Sequence, residues 1–160
     1  MRGADFERLF AEHANALFAF FAYRTQDWAL AEDLVEDTFE RVLESRRRFD
    51  PRKGSEKAWI YTIGLNLLRD HARRTALEQR TLERVGAESP PGEPDAVRFE
   101  QRDELSRALG TLNDQEREAV ALRFGADLTL REVARVLQEP TAAVEKRIYR
   151  ALAKLRQEIE

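Results

Sequence analysis

The stretch that decides the fold is 127–156, DLTLREVARVLQEPTAAVEKRIYRALAKLR. Thr129 is followed three residues later by Glu132, which is the spacing of a capping box and predicts that a helix begins here. Apolar residues then recur at helical spacing up to Gln138. Pro140 ends the helix, because the residue before a proline is pushed out of the α region.

A second helix is expected to follow, with Thr141 as its cap. Its apolar side carries Val144, Ile148, Ala151, Leu152 and Leu155. Its other faces carry Lys146, Arg147, Arg150, Lys154 and Arg156. A short helix, a tight turn and a longer basic amphipathic helix predict a DNA-binding helix-turn-helix. On this stretch alone, an ordinary helical hairpin with a solvated charged face is an equal alternative.

Composition narrows the class of protein. The chain has 160 residues, of which 42% are hydrophobic and 36% charged, which suits short helices around small cores. It has no cysteine, which excludes disulfides, thiolate catalysis and cysteine metal sites. No apolar run approaches the roughly 20 residues of a membrane span, and the N-terminal MRGADFERLF lacks the core of a signal peptide. We therefore expect a cytoplasmic protein with no membrane insertion, no metal and no cofactor.

The net charge of −3 conceals strong patterning. Residues 1–40 hold nine acids and three bases, residues 41–74 hold ten bases and four acids, and the last twenty hold five bases and three acids. Since the potential of a patch falls off over about 10 Å at ordinary salt, a polyanion responds to the local charge. The acidic total is thus compatible with nucleic-acid binding.

Three helices are predicted in the N-terminal half. The first, Phe6–Tyr23, has an aromatic-rich apolar face; its His13 is interpreted as a packing or surface residue, since no second histidine or cysteine lies near it. Asp27 is expected to cap the second, Trp28–Ser45, whose inward positions are Ala31, Leu34, Val35, Phe39 and Val42. A basic loop, 46–55, precedes the third, Ser55–Arg74.

Aromatic and basic residues alternate along the third helix, as in surfaces that bind single-stranded nucleic acid. Cations hold phosphates, rings stack on bases and amides read base edges. The alternative is that Trp59 and Tyr61 are core residues, which for Trp59 is the preferred interpretation. The apolar rhythm is lost over residues 75–102, where AESPPGEPDA is typical of a linker whose flanks are compatible with helix. Beyond it, Asn113 and Glu116 have the spacing of a second capping box.

These features resemble a known family. The segment AEDLVEDTFERVLESRRRFDPRKGSEKAWIYTIGLNLLRDHARR resembles the second conserved region of bacterial sigma factors, most closely the short extracytoplasmic-function (ECF) type. The segment LGTLNDQEREAVALRF, with the helix-turn-helix after it, resembles their fourth region. The resemblance implies an all-α protein of two small helical domains: 1–75 (region 2-like), a flexible linker 76–102, and 103–160 (region 4-like helix-turn-helix).

The resemblance also implies a role for each surface in directing core RNA polymerase to promoters and opening them. The β′ clamp coiled coil would bind Asp33, Leu34, Glu36, Asp37 and Glu40. The −10 element, including a flipped base, would bind Phe49, Arg52, Lys53, Ser55, Lys57, Tyr61, Asn66, Arg69 and Arg73. The −35 element would bind Arg123, Thr141, Glu145, Lys146, Tyr149 and Arg150. The β flap would dock on the C-terminal domain, and an anti-sigma factor is an expected partner.

The chain departs from the family pattern at a few positions. Glu145 stands where a basic residue is usual, Glu139 where an apolar one is usual, and Ala143 where a hydroxyl is usual. An acid in a recognition helix repels phosphates but can accept a hydrogen bond from cytosine N4. Two alternatives remain open. A helix-turn-helix regulator that acts without polymerase would leave the acidic second helix and the basic third helix without a role. A degenerate sigma paralogue or antagonist is suggested by Glu145 and Glu139. An enzyme is disfavoured, because the chain has no cysteine, no glycine-rich phosphate loop and only two histidines.

Overall fold

The computed structural model describes residues 3–85 and 103–159, and every regular element in these ranges is helical. The helices are α1 (Gly3–Thr25), α2 (Trp28–Ser45), α3 (Glu56–Val85), α4 (Asp103–Gly110), α5 (Asp114–Val120), α6 (Leu130–Leu137) and α7 (Thr141–Ile159). A 3-10 turn, Arg46–Arg48, follows α2, and a π-helical turn, Ala121–Gly125, follows α5. The predicted all-α class is confirmed.

Helix α2 begins and ends where the sequence predicts. The Asp27 carboxylate accepts a hydrogen bond from the Leu30 amide at 3.1 Å, which is an N-cap. The residues predicted to face inward are all buried: Ala31, Leu34, Val35, Phe39 and Val42. Thr38, which the apolar pattern does not identify, is also fully buried, because its hydroxyl donates to the Leu34 carbonyl at 2.6 Å.

Helix α3 packs against the other two N-terminal helices at a glycine. A Cβ atom on Gly64 would lie 2.9 Å from the Phe21 ring of α1 and 3.4 Å from the Thr38 hydroxyl of α2. Only a residue without a side chain allows this approach of α3. The three helices therefore form one bundle around a shared interior.

Helix α3 is longer than predicted. It continues to Val85, so residues 76–85 are helical although the sequence reading assigned them to the linker. The segment TALEQRTLERV contains no proline or glycine and is rich in good helix formers, so nothing in it ends the helix. The SPPGEP run predicted to form the linker lies outside the described residues.

In the C-terminal half, both predicted capping boxes are confirmed, at Asn113–Glu116 and at Thr129–Glu132. The prediction that Thr141 caps α7 is wrong. Thr141 is the first helical residue, and the carbonyl that accepts the first helical hydrogen bond, from the Val144 amide at 3.2 Å, belongs to Pro140.

The two halves pack against each other. Helix α6 contacts α3, and the π-helical turn contacts α1. One apolar core joins Leu17 and Phe20 of α1 to Leu122, Leu128 and Val133 of the C-terminal half. A second cluster lies within the C-terminal half, with Tyr23 of α1 against its edge; its buried members are Ala108, Leu109, Leu112, Val120, Ala151 and Leu155. The predicted two regions thus exist, but in this arrangement they share a core.

Candidate functional site

The acidic face of α2 presents four exposed carboxylates: Asp33, Glu36, Asp37 and Glu40. Leu34, the fifth residue expected on this surface, is only 3% exposed and belongs to the core. Its placement on the polymerase surface is therefore corrected, because helical spacing directs it inward together with Ala31 and Val35. The exposed face is mainly charged, with Leu43, 40% exposed, three residues after Glu40.

The loop between α2 and α3 forms one wall of a cleft. Phe49 packs against Trp59 with ring centroids 5.1 Å apart, so both aromatic residues line the cleft, together with Arg48 and Lys53. Trp59, for which burial in the core was the preferred interpretation, is instead half-buried. Asp50 shapes the loop, since its carboxylate accepts the Arg52 amide at 3.0 Å.

A second cleft continues from the first along α2 and α3. Arg48 and Trp59 line both clefts, and the second also includes Arg41, the exposed Asn66 and Asp70. Arg73 is exposed and pairs with Asp70. Cations, an amide and aromatic rings thus lie side by side, which is what a groove for single-stranded nucleic acid requires.

Tyr61 does not contribute to this groove. It is 1% exposed and meets the Phe20 ring edge-on, with centroids 5.5 Å apart. Burial raises the pKa of the Tyr61 phenol, and no hydrogen-bond partner for its hydroxyl is present among the described residues. The prediction that Tyr61 contacts the −10 strand is wrong for this arrangement, since the ring cannot reach a base.

Three of the residues predicted to bind the −10 element are held by the C-terminal half. The Ser55 hydroxyl donates to the Glu132 carboxylate at the start of α6. The Lys57 ammonium donates to the Asp127 carbonyl at 3.3 Å. A third contact joins the Arg69 guanidinium on α3 to the carboxylate of Glu118 on α5, at 3.0 Å.

Glu118 is the most enclosed of these partners. Its side chain is 9% exposed, and besides Arg69 it faces the Arg24 Nε of α1 at 3.9 Å. One carboxylate of the C-terminal half therefore lies between two cations of the N-terminal half. Glu118 was not among the predicted site residues, although a signal existed: it lies four residues before the buried Leu122, at helical spacing.

Glu132 serves both halves at once. Burial alone would raise the pKa of this carboxyl, but hydrogen bonds from Ser55 and Thr129 and the charge of Lys57 hold it below its ordinary value. Glu132 therefore remains ionised while it caps α6 and accepts from Ser55. Close by, Arg135 lies over the loop, since a Cβ on Gly54 would come within 2.7 Å of its Nη1 atom.

Helix α7 exposes most of the residues predicted to meet the −35 element. Val144, Ile148 and Ala151 are buried as predicted. The exposed residues are Thr141, Glu145, Lys146, Tyr149 and Arg150, of which Tyr149 is 78% exposed. Arg123, by contrast, is half-buried; it donates to the Leu128 carbonyl at 3.1 Å and lies over the Phe124 ring.

Comparison with known proteins defines the class. Residues 9–78 match the family model for sigma-70 region 2, and residues 108–157 match the model for sigma-70 region 4. The chain is 30% identical over 155 residues to the ECF RNA polymerase sigma factor RpoE of Cereibacter sphaeroides, covering 96% of this chain and 86% of that one. It is 33% identical over 154 residues to the RNA polymerase sigma factor CarQ of Myxococcus xanthus, covering 95% and 87%.

The chain is also 33% identical over 154 residues to the ECF sigma factor BldN of Streptomyces coelicolor, covering 94% of this chain but 58% of BldN. Among solved structures, the sigma factor RpoE of Bartonella quintana, in complex with the anti-sigma factor NepR, shares the fold with a TM-score of 0.81 at 24% identity, covering 97% of this chain and 96% of that one. CnrH, in complex with the cytosolic domain of CnrY, gives 0.76 at 29% identity, covering 99% and 89%.

The protein is therefore a sigma-70-type sigma factor. Within that class it belongs to the ECF family, and it binds RNA polymerase and recognises promoters. Sigma factors are non-enzymatic subunits that recognise DNA. No helix in the described ranges combines the length and the apolar character needed to cross a bilayer.

Proposed function

We propose that three surfaces of this chain bind the β′ clamp and the two promoter elements, and that the C-terminal half makes a further contact with the β flap. The acidic face of α2 binds the β′ clamp coiled coil of core polymerase, and the C-terminal half binds the β flap. The N-terminal walls of the two clefts, formed by α2, α3 and the loop between them, take the −10 element and stabilise its unstacked bases, so that melting draws on binding energy. The exposed face of α7 lies in the major groove at the −35 element.

We propose that the packed arrangement of the two halves is an inactive resting state of the free protein. The observation that carries this proposal is that Ser55, Lys57 and Arg69 are bonded to the C-terminal half, two of them to carboxylates. A DNA phosphate would compete with Glu118 for Arg69, so the −10 surface is free only when the halves separate. Core polymerase, by taking the two halves at separate sites, would open the molecule.

A protein that bound both halves while they are packed together would keep the sigma factor inactive. We propose such an anti-sigma factor as a partner; the similar CnrH is bound in its structure to the cytosolic domain of CnrY. The site of action is the cytoplasm, where RNA polymerase and promoter DNA are found. No residue is assigned a catalytic role.

The test is a reversible lock between the halves. The chain has no cysteine, so cysteines introduced as Gly54→Cys and Arg135→Cys are the only thiols present. A short bismaleimide with a cleavable disulfide in its linker would join them, because these positions adjoin in the resting state. Cross-linked protein is expected to lose promoter-dependent transcription with core polymerase, and reduction of the linker should restore it.

Each single-cysteine variant, treated with the same reagent, is the control and sets the activity with which the locked protein is compared. Locked protein that transcribes as well as the reduced protein would overturn the resting state. Failure of the unlocked double variant and of wild type to support promoter-dependent transcription with core polymerase would overturn the assignment of the three surfaces.

A further inference from the structure

The turn between α6 and α7 has a defined backbone geometry. Gln138 adopts the left-handed conformation, with φ 56° and ψ 45°. Its amide donates to the Arg135 carbonyl at 3.2 Å, and the Glu139 amide donates to the Ala134 carbonyl at 3.0 Å. This pair of hydrogen bonds is a Schellman motif, in which the residue after the left-handed one usually makes an apolar contact with the helix. Here that residue is Glu139.

Glu139 makes a two-point ion pair in place of the apolar contact. Its carboxylate oxygens accept from Nη1 and Nη2 of Arg147, in the second turn of α7, at 2.6 and 2.7 Å. Bidentate pairs of this kind are both stronger and more directional than single hydrogen bonds. Arg147 lowers the pKa of the Glu139 carboxyl, and Glu139 raises the pKa of the Arg147 guanidinium, so each favours the charged form of the other.

Arg147 lies at the border between the buried stripe of α7 and the face proposed to read DNA. Arg147 lies three residues after Val144 and four before Ala151, both fully buried, so it borders the inward stripe of α7. Its side chain is 17% exposed. Each of its terminal nitrogens donates to Glu139, so two of its five N–H donors are already engaged within the turn.

We propose that Arg147 is a positioning residue, held by Glu139, which sets the orientation of α7 relative to α6 and thereby aligns its exposed face with the −35 element. The proposal rests on the proposed role of α7 in reading that element. It assigns a purpose to Glu139, a residue that departs from the usual apolar choice. It also separates Arg147 from Lys146 and Arg150, the neighbouring bases that remain available to DNA.

The test is a charge swap in reconstituted holoenzyme. Transcription is measured from two promoters that differ only in the presence of a −35 element, so that effects on folding, core binding or separation of the halves cancel in the ratio. Arg147→Glu and Glu139→Arg are each expected to lower this ratio about tenfold, the scale of a lost base contact. The double variant Glu139→Arg/Arg147→Glu is expected to restore it to within about twofold, since the pair re-forms.

A phosphate contact by Arg147 predicts a different result. The double swap would then remain defective, and the salt dependence of promoter binding would lose about one unit of slope. That outcome overturns the proposal. If the swapped variants fold poorly, as judged by circular dichroism, Glu139→Leu/Arg147→Met replaces the pair with the apolar contact usual in this motif. It should keep the ratio if Arg147 only positions α7, and lower it if Arg147 binds DNA.

Arg150→Ala distinguishes failure of this inference from failure of the proposed function. If Arg150→Ala lowers the ratio while the single reversals of Glu139 and Arg147 do not, the positioning role is wrong and −35 reading by α7 stands. If Arg150→Ala together with Lys146→Ala leaves the ratio unchanged, α7 does not read the −35 element, and both proposals fall.

Discussion

Glu118→Gln is the most informative single perturbation of the resting state. The change keeps the size of the side chain and removes its charge. It should weaken the hydrogen bond to Arg69 and the attraction to Arg24, which lie at 3.0 and 3.9 Å from the carboxylate. In an open molecule residue 118 would be solvated, so the variant should act on the closed form alone.

The loss of stability expected for the closed form depends on how exposed the partners of Glu118 are. A hydrogen bond to a charged group contributes about 1.5–3 kcal/mol. Arg69 is 47% exposed, so solvent screening reduces this contribution to about 1–1.5 kcal/mol. Since about 1.4 kcal/mol is a factor of ten in an equilibrium constant, the ratio of closed to open molecules should fall roughly five- to tenfold.

The assay is the rate of cross-linking between Gly54→Cys and Arg135→Cys, with and without Glu118→Gln, in free protein. Cross-linking proceeds from the closed form, so the rate should drop once that form no longer dominates, and small-angle scattering should report a larger radius of gyration. Glu158→Gln, the same chemical change at an exposed position near the end of α7, is the matched control. At a salt concentration that leaves wild type about half open, equal rates for Glu118→Gln and Glu158→Gln would refute the role of Glu118 in closure.

Three further outcomes are expected. Asp37→Lys/Glu40→Lys should weaken binding to core polymerase in a pull-down at physiological salt without loss of helicity, because exposed charges seldom change stability by more than about 0.5 kcal/mol; unchanged binding would remove the acidic face from the interface. Tyr61→Phe should leave the rate of promoter opening unchanged. The free energy of unfolding in urea should stay equal or rise, since the buried hydroxyl has no hydrogen-bond partner among the described residues. Slower promoter opening would show that Tyr61 reaches DNA. Gly64→Ala should lower the free energy of unfolding by about 1 kcal/mol or more, because the clash with Phe21 outweighs the gain in helix propensity. A more stable variant would show that the Phe21 ring moves aside without cost.

Local patterns in the sequence were sufficient to predict most of the helices and their buried faces. The caps at Asp27, Asn113 and Thr129 act within three or four residues, so their partners can be identified from spacing alone. The inward stripe of α2 follows from the 3.6-residue period. The predicted end of α3 was wrong for an equally local reason. The helix continues to Val85 because no proline or glycine lies between Thr75 and Val85, and loss of the apolar pattern alone does not mark where a linker begins.

Helical periodicity predicted only part of the candidate site. The charge of the α2 face and the exposure of α7 follow from helical periodicity, because each depends on one helix. Leu34 and Tyr61 were placed on functional surfaces by resemblance although both are core residues here. For Tyr61, an aromatic ring at helical spacing serves equally for stacking on a base or on Phe20, and only its neighbours distinguish the two.

By itself, the sequence determined the helices, the helix-turn-helix and the sigma-factor class, because these depend on periodicity, capping and motif order within contiguous segments. Only the tertiary structure decided that the two halves share a core, that Glu118 lies between Arg24 and Arg69, and that Glu132 both caps α6 and accepts from Ser55. These contacts join residues 49 to 94 positions apart, and their geometry depends on how whole helices pack. Spacing along the chain carries no information on such distances.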